Sequence, residues 1–452
     1  VSSADHAALL RFFHAGGPEN MAGALALLAR LAGGEKAPAC AATAVAQAGF
    51  YAPGQGIVPL GHFSAPAAAG RPVVPIIFYR SMLLAADIAP IDALSNALSA
   101  RGILAVPVFV ASLRDAEARS LLDETVKALS PRLLITTTAF AVGAEPGKET
   151  LFDELGLPVL QAAIATTRRE AWQGGERGLV PADLAMHIVL PELDGRIAAG
   201  AISFKRLAEP DAPLGVRLQV NAAEPDRIEA VAGRVAAWLE LQATTKAERR
   251  IAIIVPDYPA ATGRAGYAVG LDVPQSVIGM LRDLESEGYT VDDVPEVARD
   301  LMRLLARPRP AMALAAYLRL KDGLPAEAMR VVGSAWGEAA TETVDEVFAF
   351  RYARFGNVTV CFAPDRGRAG ERRAEYHDPS LPPRHSLVAF GLWLREELGC
   401  HALVHVGAHG TLEWLPGKTA ALSRTCFPEI VAGLLPVVYP FIVSNPGEAA
   451  QA

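Results

Sequence analysis

The chain has 452 residues, of which 51% are hydrophobic and only 20% are charged, so it can bury the cores of two or three domains and is not a disordered chain. Its 42 Lys and Arg against 49 Asp and Glu give a net charge of -7 without a long basic run, which argues against a nucleic-acid partner. Two prolines interrupt the longest apolar run, residues 430–443, so no membrane-spanning helix is predicted, and the absence of a basic, apolar leader at the start predicts a cytoplasmic protein.

In chain order, residues 1–68 are predicted to form a small helical segment and a linker. Residues 22–32 are rich in Ala and Leu at helical spacing, whereas residues 54–72 are rich in Gly, Pro and Ala. A first α/β domain is expected over residues 69–246. Its predicted strands are 73–79, 103–110, 133–138 and 159–163, and its predicted helices are 88–101, 116–129 and 225–242.

A second α/β domain is predicted over residues 247–452. Its predicted strands are 250–255, 289–294, 358–362 and 402–406, and its predicted helices are 274–287, 297–305, 311–320 and 386–398. Strands that alternate with helices imply a parallel sheet that helices cover on both faces. We therefore expect an α/β fold with two or more Rossmann-like parallel-sheet units, preceded by the helical segment.

The loop after the last predicted strand, in HALVHVGAHGTLEWLPGK, concentrates titratable side chains. The loop carries His409, Glu413 and Lys418, and His405 lies near the end of the strand itself. The His405–His409 spacing resembles that of a helical metal pair, but the valine and glycine between the two histidines disfavour a helix, and a loop at the end of a strand is expected instead. Ligand groups gather at such strand ends, although a buried strand histidine with one hydrogen bond is an equal alternative for His405.

Two other loops follow predicted strands of the second domain. The loop DYPAATGRAGYAVGLD is either a flexible surface loop or the lining of a cleft, in which Arg264 is available for an anion. The segment around His377 and His385 is either a solvated turn or a second group of ligands and bases. Since loops at the same sheet edge lie together, we expect His377, His385, His409 and Glu413 to meet there.

Neither ATP hydrolysis by this chain nor a structural zinc site is predicted. The sequence GKT at 417–419 resembles the end of a phosphate loop, but six residues, not four, separate Gly410 from Gly417. The four cysteines lie far apart and form no C-x-x-C pair, so they are expected to be reduced, buried thiols.

Several collinear blocks resemble one family. The run HVGAHGTLEWLPGK followed by PVVYPFIVSNPGEAAQA, and the blocks FYRSMLLAADIAPIDALSNALSARG, DLAMHIVLPELDGRI, GRAGYAVGLDVPQS, FGNVTV and YHDPSLPPRH, are similar to the CobN/magnesium chelatase large-subunit family. Members of that family are more than twice as long, so the chain is expected to be a piece of a longer protein. Trp414-Leu415 and the YHDP block are similar to the cobalt enzymes, whereas Ala408 stands where those enzymes often have Lys.

The resemblance implies a tetrapyrrole-binding catalytic subunit of an ATP-dependent cobaltochelatase. Such an enzyme inserts Co(II), as substrate metal, into hydrogenobyrinic acid a,c-diamide during cobalamin biosynthesis. AAA+ ATPase partner subunits would hydrolyse the ATP, in agreement with the missing phosphate loop. Magnesium insertion into protoporphyrin and a non-catalytic tetrapyrrole-binding or docking fragment are the alternatives, and a metal-dependent hydrolase is more remote.

Within this resemblance, the predicted roles fall into three groups. Glu413 and His409 are predicted to be catalytic, since insertion needs a base near the ring nitrogens. His405, His409 and His377 are predicted metal ligands, because imidazole suits Co(II). The predicted tetrapyrrole contacts are Trp414, Lys418, Arg264, Arg366 and His385.

Overall fold

A computed structural model describes residues 2–33, 41–143, 149–209, 215–255, 266–268, 271–368, 378–407 and 412–440. The chain divides into two compact units, residues 1–232 and 233–452. This division falls inside the helix Pro225–Ala243, whereas the predicted domain boundary at 246/247 lies just beyond that helix.

The first unit begins with two helices and continues as an α/β unit. Its strands are β1 (Ala48–Ala52), β2 (Gly56–Val58), β3 (Val73–Tyr79), β4 (Leu104–Val110), β5 (Leu134–Thr136), β6 (Val159–Arg168), β7 (Ile197–Leu207) and β8 (Gln219–Ala223). Its helices are α1 (Ser3–Ala15), α2 (Pro18–Gly33), α3 (Gly61–Ala68), α4 (Arg80–Leu84), α5 (Ala89–Ala100), α6 (Ala116–Leu129), α7 (Leu151–Leu155), α8 (Arg169–Gly174), α9 (Pro181–Leu184), α10 (Leu190–Glu192) and α11 (Pro225–Ala243). A π-helical turn, Ala185–Val189, joins α9 to α10.

The sheet of the first unit has eight strands in the order β2-β1-β4-β3-β5-β6-β7-β8. The five central strands are parallel to one another: β4, β3, β5, β6 and β7. Strands β1 and β2 at one edge and β8 at the other are antiparallel to their neighbours. Every residue of β3 from Val73 to Phe78 is buried, so both faces of the sheet are covered. This explains why β3 is a continuous apolar run rather than an alternating one.

Part of the predicted linker belongs to this sheet, since residues 56–58 form β2, and residues 61–68 form α3. Strand β1 pairs with β4 through Phe50 and Val108, the turn between β1 and β2 has Gly54 at φ 72°, and Gly56, the first residue of β2, has φ 81°. The Gly-rich composition therefore marks a hairpin turn, and the linker interpretation of residues 54–72 is wrong there.

The second unit has shorter strands than the first. Its strands are β9 (Ile251–Val255), β10 (Tyr267–Ala268), β11 (Leu271–Asp272), β12 (Arg309–Ala313), β13 (Val347–Phe350), β14 (Tyr352–Phe355), β15 (Val358–Phe362), β16 (Ala402–His405) and β17 (Val437–Val438). Its helices are α12 (Val273–Ser286), α13 (Ala298–Leu305), α14 (Leu314–Lys321), α15 (Ala326–Trp336), α16 (His385–Leu392) and α17 (Phe427–Ala432). Short 3-10 turns lie at Lys246–Glu248, Ala339–Glu342 and Leu412–Trp414, and a π-helical turn, Trp393–Glu397, continues α16.

The main sheet of the second unit has the order β14-β15-β9-β16-β17. Strands β15, β9, β16 and β17 are parallel, and β14 is antiparallel to β15. Both units are thus α/β with mixed, largely parallel sheets, and helices precede the first of them, which confirms the predicted fold class.

Two predictions for the second unit are wrong. Residues 289–294 form no strand, because Asp293 adopts φ 52° and Pro295 follows, and both interrupt extended pairing. The predicted helix 311–320 begins only at Leu314, because the preceding residues pair with β13 as β12. That pairing involves a partner distant in sequence, which local periodicity does not reveal.

Cys361, Cys400 and Cys426 are free, buried thiols, as predicted, and Cys40 lies outside the described residues. Among the described helices, none combines the length and the apolar character that a membrane span requires.

Candidate functional site

The three loops that carry the predicted site residues leave neighbouring parallel strands at the same edge of the second sheet. Strand β9 lies between β15 and β16, and the three strands run in the same direction. The chain passes from β9 to β15 on one side and then returns to β16 on the other, so the strand order reverses at β9. Ligand crevices of open α/β sheets lie at such a reversal, beyond the carboxyl ends of the strands.

His405 is the last residue of β16, beside this reversal. It pairs with Ile254 of β9, and its side chain is buried, with 4% of its surface exposed. The ring of Tyr439 meets the imidazole edge to face, with 5.3 Å between the ring centroids. The strand therefore places the imidazole at the sheet edge, where Tyr439 packs against it and water has little access.

The segment that carries Trp414 and Lys418 folds back on the start of α17. The backbone N–H of Lys418 donates to Sγ of Cys426 at 3.3 Å, and the N–H of Phe427 donates to the carbonyl oxygen of Pro416 at 3.0 Å. The side chains of Trp414 and Lys418 are half-buried. The backbone at Pro416 and Lys418 is thus held by the start of α17.

Four predicted site groups lie outside the described part of the chain: His409, His377, Arg264 and the side chain of Glu413. Among the described residues, no group of three or more His, Cys, Asp or Glu side chains is arranged to hold a metal ion. The predicted metal set therefore has His405 as its one described member, and its roles stay predictions.

His385 is held by the protein itself. Its Nδ1 lies 2.7 Å from the Tyr317 hydroxyl, and its Nε2 lies 3.0 Å from the carbonyl oxygen of Gly337. The Glu342 carboxylate accepts hydrogen bonds from the N–H groups of His385 and Ser386, at 3.2 and 2.9 Å, and so satisfies two free donors at the start of α16. Burial lowers the pKa of His385. A substrate contact by this ring stays a prediction, and its visible partners are structural.

Arg366 is also buried, with 4% of its surface exposed. One terminal nitrogen of its guanidinium donates to the carbonyl oxygens of Asp378 and Leu381, at 2.6 and 2.8 Å. Arg366 thereby ties the loop after β15 to the segment that leads into α16. Its predicted contact with a tetrapyrrole carboxylate stays a prediction.

Two arginines to which the sequence analysis assigned no role lie beside this segment. The guanidinium carbons of Arg368 and Arg384 each lie 5.7 Å from the ring centre of Trp336, whose indole N–H donates to the carbonyl oxygen of Pro382. Arg368 is exposed, and Arg384 also contacts Glu342 at 3.3 Å. Because these three residues come from separate parts of the sequence, no local motif could have shown that they form one basic and aromatic surface.

Comparison with known proteins identifies relatives over nearly the whole chain. The family described as CobN/Magnesium Chelatase matches residues 10–452. The aerobic cobaltochelatase subunit CobN of Sinorhizobium sp. is 37% identical over 100% of this chain and 37% of its own length. A magnesium-chelatase subunit of Rhodobacter capsulatus is 29% identical over 83% of this chain and 33% of its own length.

A solved structure is similar as well. The catalytic subunit of cobaltochelatase from Mycobacterium tuberculosis superposes with a TM-score of 0.82 at 30% identity, covering 100% of this chain and 39% of that one. The chain therefore spans between one third and two fifths of the length of these relatives.

Proposed function

Because the chain belongs to the CobN/magnesium chelatase family, we propose that it is part of the tetrapyrrole-binding catalytic subunit of an ATP-dependent cobaltochelatase. The proposed reaction is insertion of Co(II) into hydrogenobyrinic acid a,c-diamide, in cobalamin biosynthesis. The observation that carries the proposal is the position of His405, at the reversal of strand order where the loops bearing His409, Glu413 and His377 begin or end.

Metal insertion has two requirements, and these residue types can supply both. The ring nitrogens must lose protons as the metal enters, so a base must stand near the macrocycle, and we assign this role to Glu413. The metal must also be held by ligands that release it, and imidazoles of His405, His409 and His377 suit Co(II) better than a thiolate cage. Two of the described cysteines fit this view, since burial raises the pKa of Cys361 and of Cys400 and keeps both protonated.

The remaining predicted residues would bind the macrocycle or position the loops. Trp414 offers apolar surface to the ring, and Lys418 and Arg264 face its peripheral carboxylates in this proposal. Arg366 and His385 would act through the segment 378–385, which their hydrogen bonds hold in place.

Cobalt is favoured over magnesium because the sequence is more similar to a cobaltochelatase subunit than to a magnesium-chelatase subunit. The Sinorhizobium cobaltochelatase subunit is 37% identical, against 29% for the Rhodobacter capsulatus magnesium-chelatase subunit. ATP would be hydrolysed by AAA+ partner subunits, since this sequence carries no phosphate loop with the required spacing.

The test uses the full-length protein with its ATPase partners, ATP and the tetrapyrrole, and follows cobalt insertion by absorbance. Glu413→Gln should leave tetrapyrrole binding nearly intact and abolish insertion. His405→Ala should lower the insertion rate by about a hundredfold or more. His14→Ala, an exposed histidine of α1, is the matched control and should insert cobalt at the wild-type rate.

Each alternative has its own result in this assay. Wild-type turnover by Glu413→Gln would remove Glu413 from the mechanism. Insertion of Mg²⁺ into protoporphyrin, without cobalt insertion, would replace the proposed metal. Tetrapyrrole binding without insertion of either metal, in the presence of partners and ATP, would show a binding subunit rather than an enzyme.

A further inference from the structure

A second reversal of strand order lies in the first unit, whose sheet the chelatase proposal does not use, and a cavity lies beside it. The order β4-β3-β5 places β3 between the two strands that follow it in sequence, so the chain crosses to opposite sides of β3. Beyond the carboxyl ends of these three strands is a cavity of about 350 Å³. It is lined by Tyr79, residues 111–114 and residues 138–142. The position is the one at which open α/β sheets bind ligands, and the volume is within the range of small-ligand sites, roughly 300 to 1,000 Å³.

A buried ion pair holds the loop 138–142 through hydrogen bonds to its backbone. Arg196 and Asp194 are 2.7 Å apart, and their side chains are 0% and 1% exposed. Arg196 donates to the carbonyl oxygens of Thr138 and Phe140, while Asp194 accepts from the N–H groups of Val142 and Gly143. The pair thus uses its charges to hold the backbone of one cavity wall.

Phe140 occupies an unusual position in that wall. Its φ is 64°, a left-handed conformation that is rare for an aromatic residue, and its N–H donates to the carbonyl oxygen of Met186 at 2.9 Å. The ring is 51% exposed although it lines the cavity. Strained, exposed residues that their surroundings hold in place cluster at ligand sites, and this ring offers a flat face to a ligand.

The opposite wall supplies positive charge. Arg114 donates from its side chain to the carbonyl oxygen of Ala141 at 3.2 Å, and no carboxylate in the described part of the chain pairs with it. Within the same described ranges, the backbone N–H groups of Leu113 and Ala141 have no hydrogen-bond partner. A guanidinium fork beside backbone donors without partners matches an anion with several oxygens, above all a phosphate.

We propose that this cavity binds a mononucleotide-sized ligand, in which a flat ring packs on Phe140 and a phosphate contacts Arg114 and the N–H groups of Leu113 and Ala141. The Tyr79 hydroxyl, which is held by both backbone polar groups of Ala139 at 3.1 and 3.2 Å, forms the floor between the two ends. All of these residues belong to the first unit, and the proposal does not depend on the proposed chelatase function.

The test titrates the full-length protein, without ATPase partners, with AMP, UMP and flavin mononucleotide, using calorimetry. Two control ligands are titrated in the same way: adenosine carries the flat ring without the phosphate, and inorganic phosphate is the anion without the ring. At least one mononucleotide should bind saturably and more tightly than both. Arg114→Gln should weaken mononucleotide binding by about tenfold or more while leaving adenosine binding unchanged.

Two further variants sharpen the result. Phe140→Gly permits the same positive φ while it removes the ring, so it should weaken binding of the mononucleotide and of adenosine but not of phosphate. Arg11→Gln, an exposed arginine of α1 outside the cavity lining, should bind as the wild type does. Absence of saturable binding by all three mononucleotides, or equal binding by wild type and Arg114→Gln, would overturn the proposal.

Discussion

The Tyr317 hydroxyl lies 2.7 Å from Nδ1 of His385. The other nitrogen of the same imidazole, Nε2, lies 3.0 Å from the carbonyl oxygen of Gly337. A carbonyl oxygen only accepts, so Nε2 carries a proton. In the neutral ring, which burial favours, Nδ1 has no proton and accepts from the tyrosine hydroxyl. Burial agrees with this assignment, since it lowers the pKa of His385 and raises that of Tyr317.

The second unit should lose stability as the pH falls past the ordinary histidine pKa. The folded ring of His385 has a pKa below its unfolded value of about 6.5. Between these two pKa values, the unfolded chain binds a proton that the folded ring does not bind, so the free energy of unfolding falls as the pH falls and levels off below the folded pKa.

The unfolding midpoint of the second unit, followed between about pH 7.5 and 5.5, measures this slope. His401, whose pKa burial also lowers, adds to the slope in the wild type. His385→Gln should therefore keep part of the pH dependence and show a shallower slope. An unchanged slope in this variant would mean that His385 is protonated equally in both states.

Two helical glycines of the second unit should respond oppositely to a methyl group. A Cβ on Gly391 of α16 would overlap the backbone carbonyl group of Val431 in α17, whereas a Cβ on Gly279 of α12 would meet nothing within 4 Å. Gly391→Ala should destabilise the unit by about 3 kcal/mol, because helix backbones rather than a flexible side chain must move. Gly279→Ala should stabilise it by about 0.5 to 1 kcal/mol through helix propensity.

Urea unfolding of the two variants beside the wild type gives both free-energy differences. The pair serves as its own control, since both substitutions are Gly→Ala within helices. A destabilisation of equal size at both positions would contradict the close approach of α16 and α17.

The elements that the sequence predicted best are those whose patterns are local. Strand β3 and helix α6 have their predicted bounds, because a continuous apolar run and a helical period can each be recognised from one segment. Strands β1 and β12 were not predicted, because each exists through pairing with a partner distant in sequence. The same limit applies to the surface that Trp336 forms with Arg368 and Arg384.

The candidate site shows the same division. The end of β16 was predicted to present His405 at a sheet edge, since apolar strands followed by glycines indicate loops at strand ends. The sequence did not reveal that Arg366 would hydrogen-bond to backbone carbonyl oxygens, or that His385 would hydrogen-bond to Tyr317. Partner choice depends on three-dimensional packing, and residue type alone shows only what a side chain is able to bind.

The buried thiols should resist alkylation in the folded protein. Burial raises the pKa of Cys400 to about 12 and that of Cys361 well above the ordinary value, so neither forms the reactive thiolate near neutral pH. Mass spectrometry after iodoacetamide treatment should find both unmodified in the native protein and modified after denaturation. Rapid native modification of Cys361 would contradict its position inside β15.

Arg366 should act on the site through geometry rather than through its charge. Arg366→Lys keeps the charge, but the lysine nitrogen lies one bond closer to the backbone than the terminal arginine nitrogen that contacts the carbonyl oxygens of Asp378 and Leu381, so it cannot keep both hydrogen bonds. The expected cost is about 1 to 3 kcal/mol, with faster amide hydrogen exchange across residues 378–385. The exposed neighbour gives the comparison: Arg368→Lys should change stability by less than about 0.5 kcal/mol.

Tetrapyrrole affinity of the full-length protein then separates the two possible roles of Arg366. If Arg366 positions the loop, the affinity of Arg366→Lys falls together with hydrogen-exchange protection, and conditions that stabilise the fold restore both. If Arg366 instead contacts a substrate carboxylate through its charge, the lysine variant keeps its affinity while the loop loosens. We expect the first result, because the structure already commits the guanidinium to two carbonyl groups and leaves only 4% of the residue exposed.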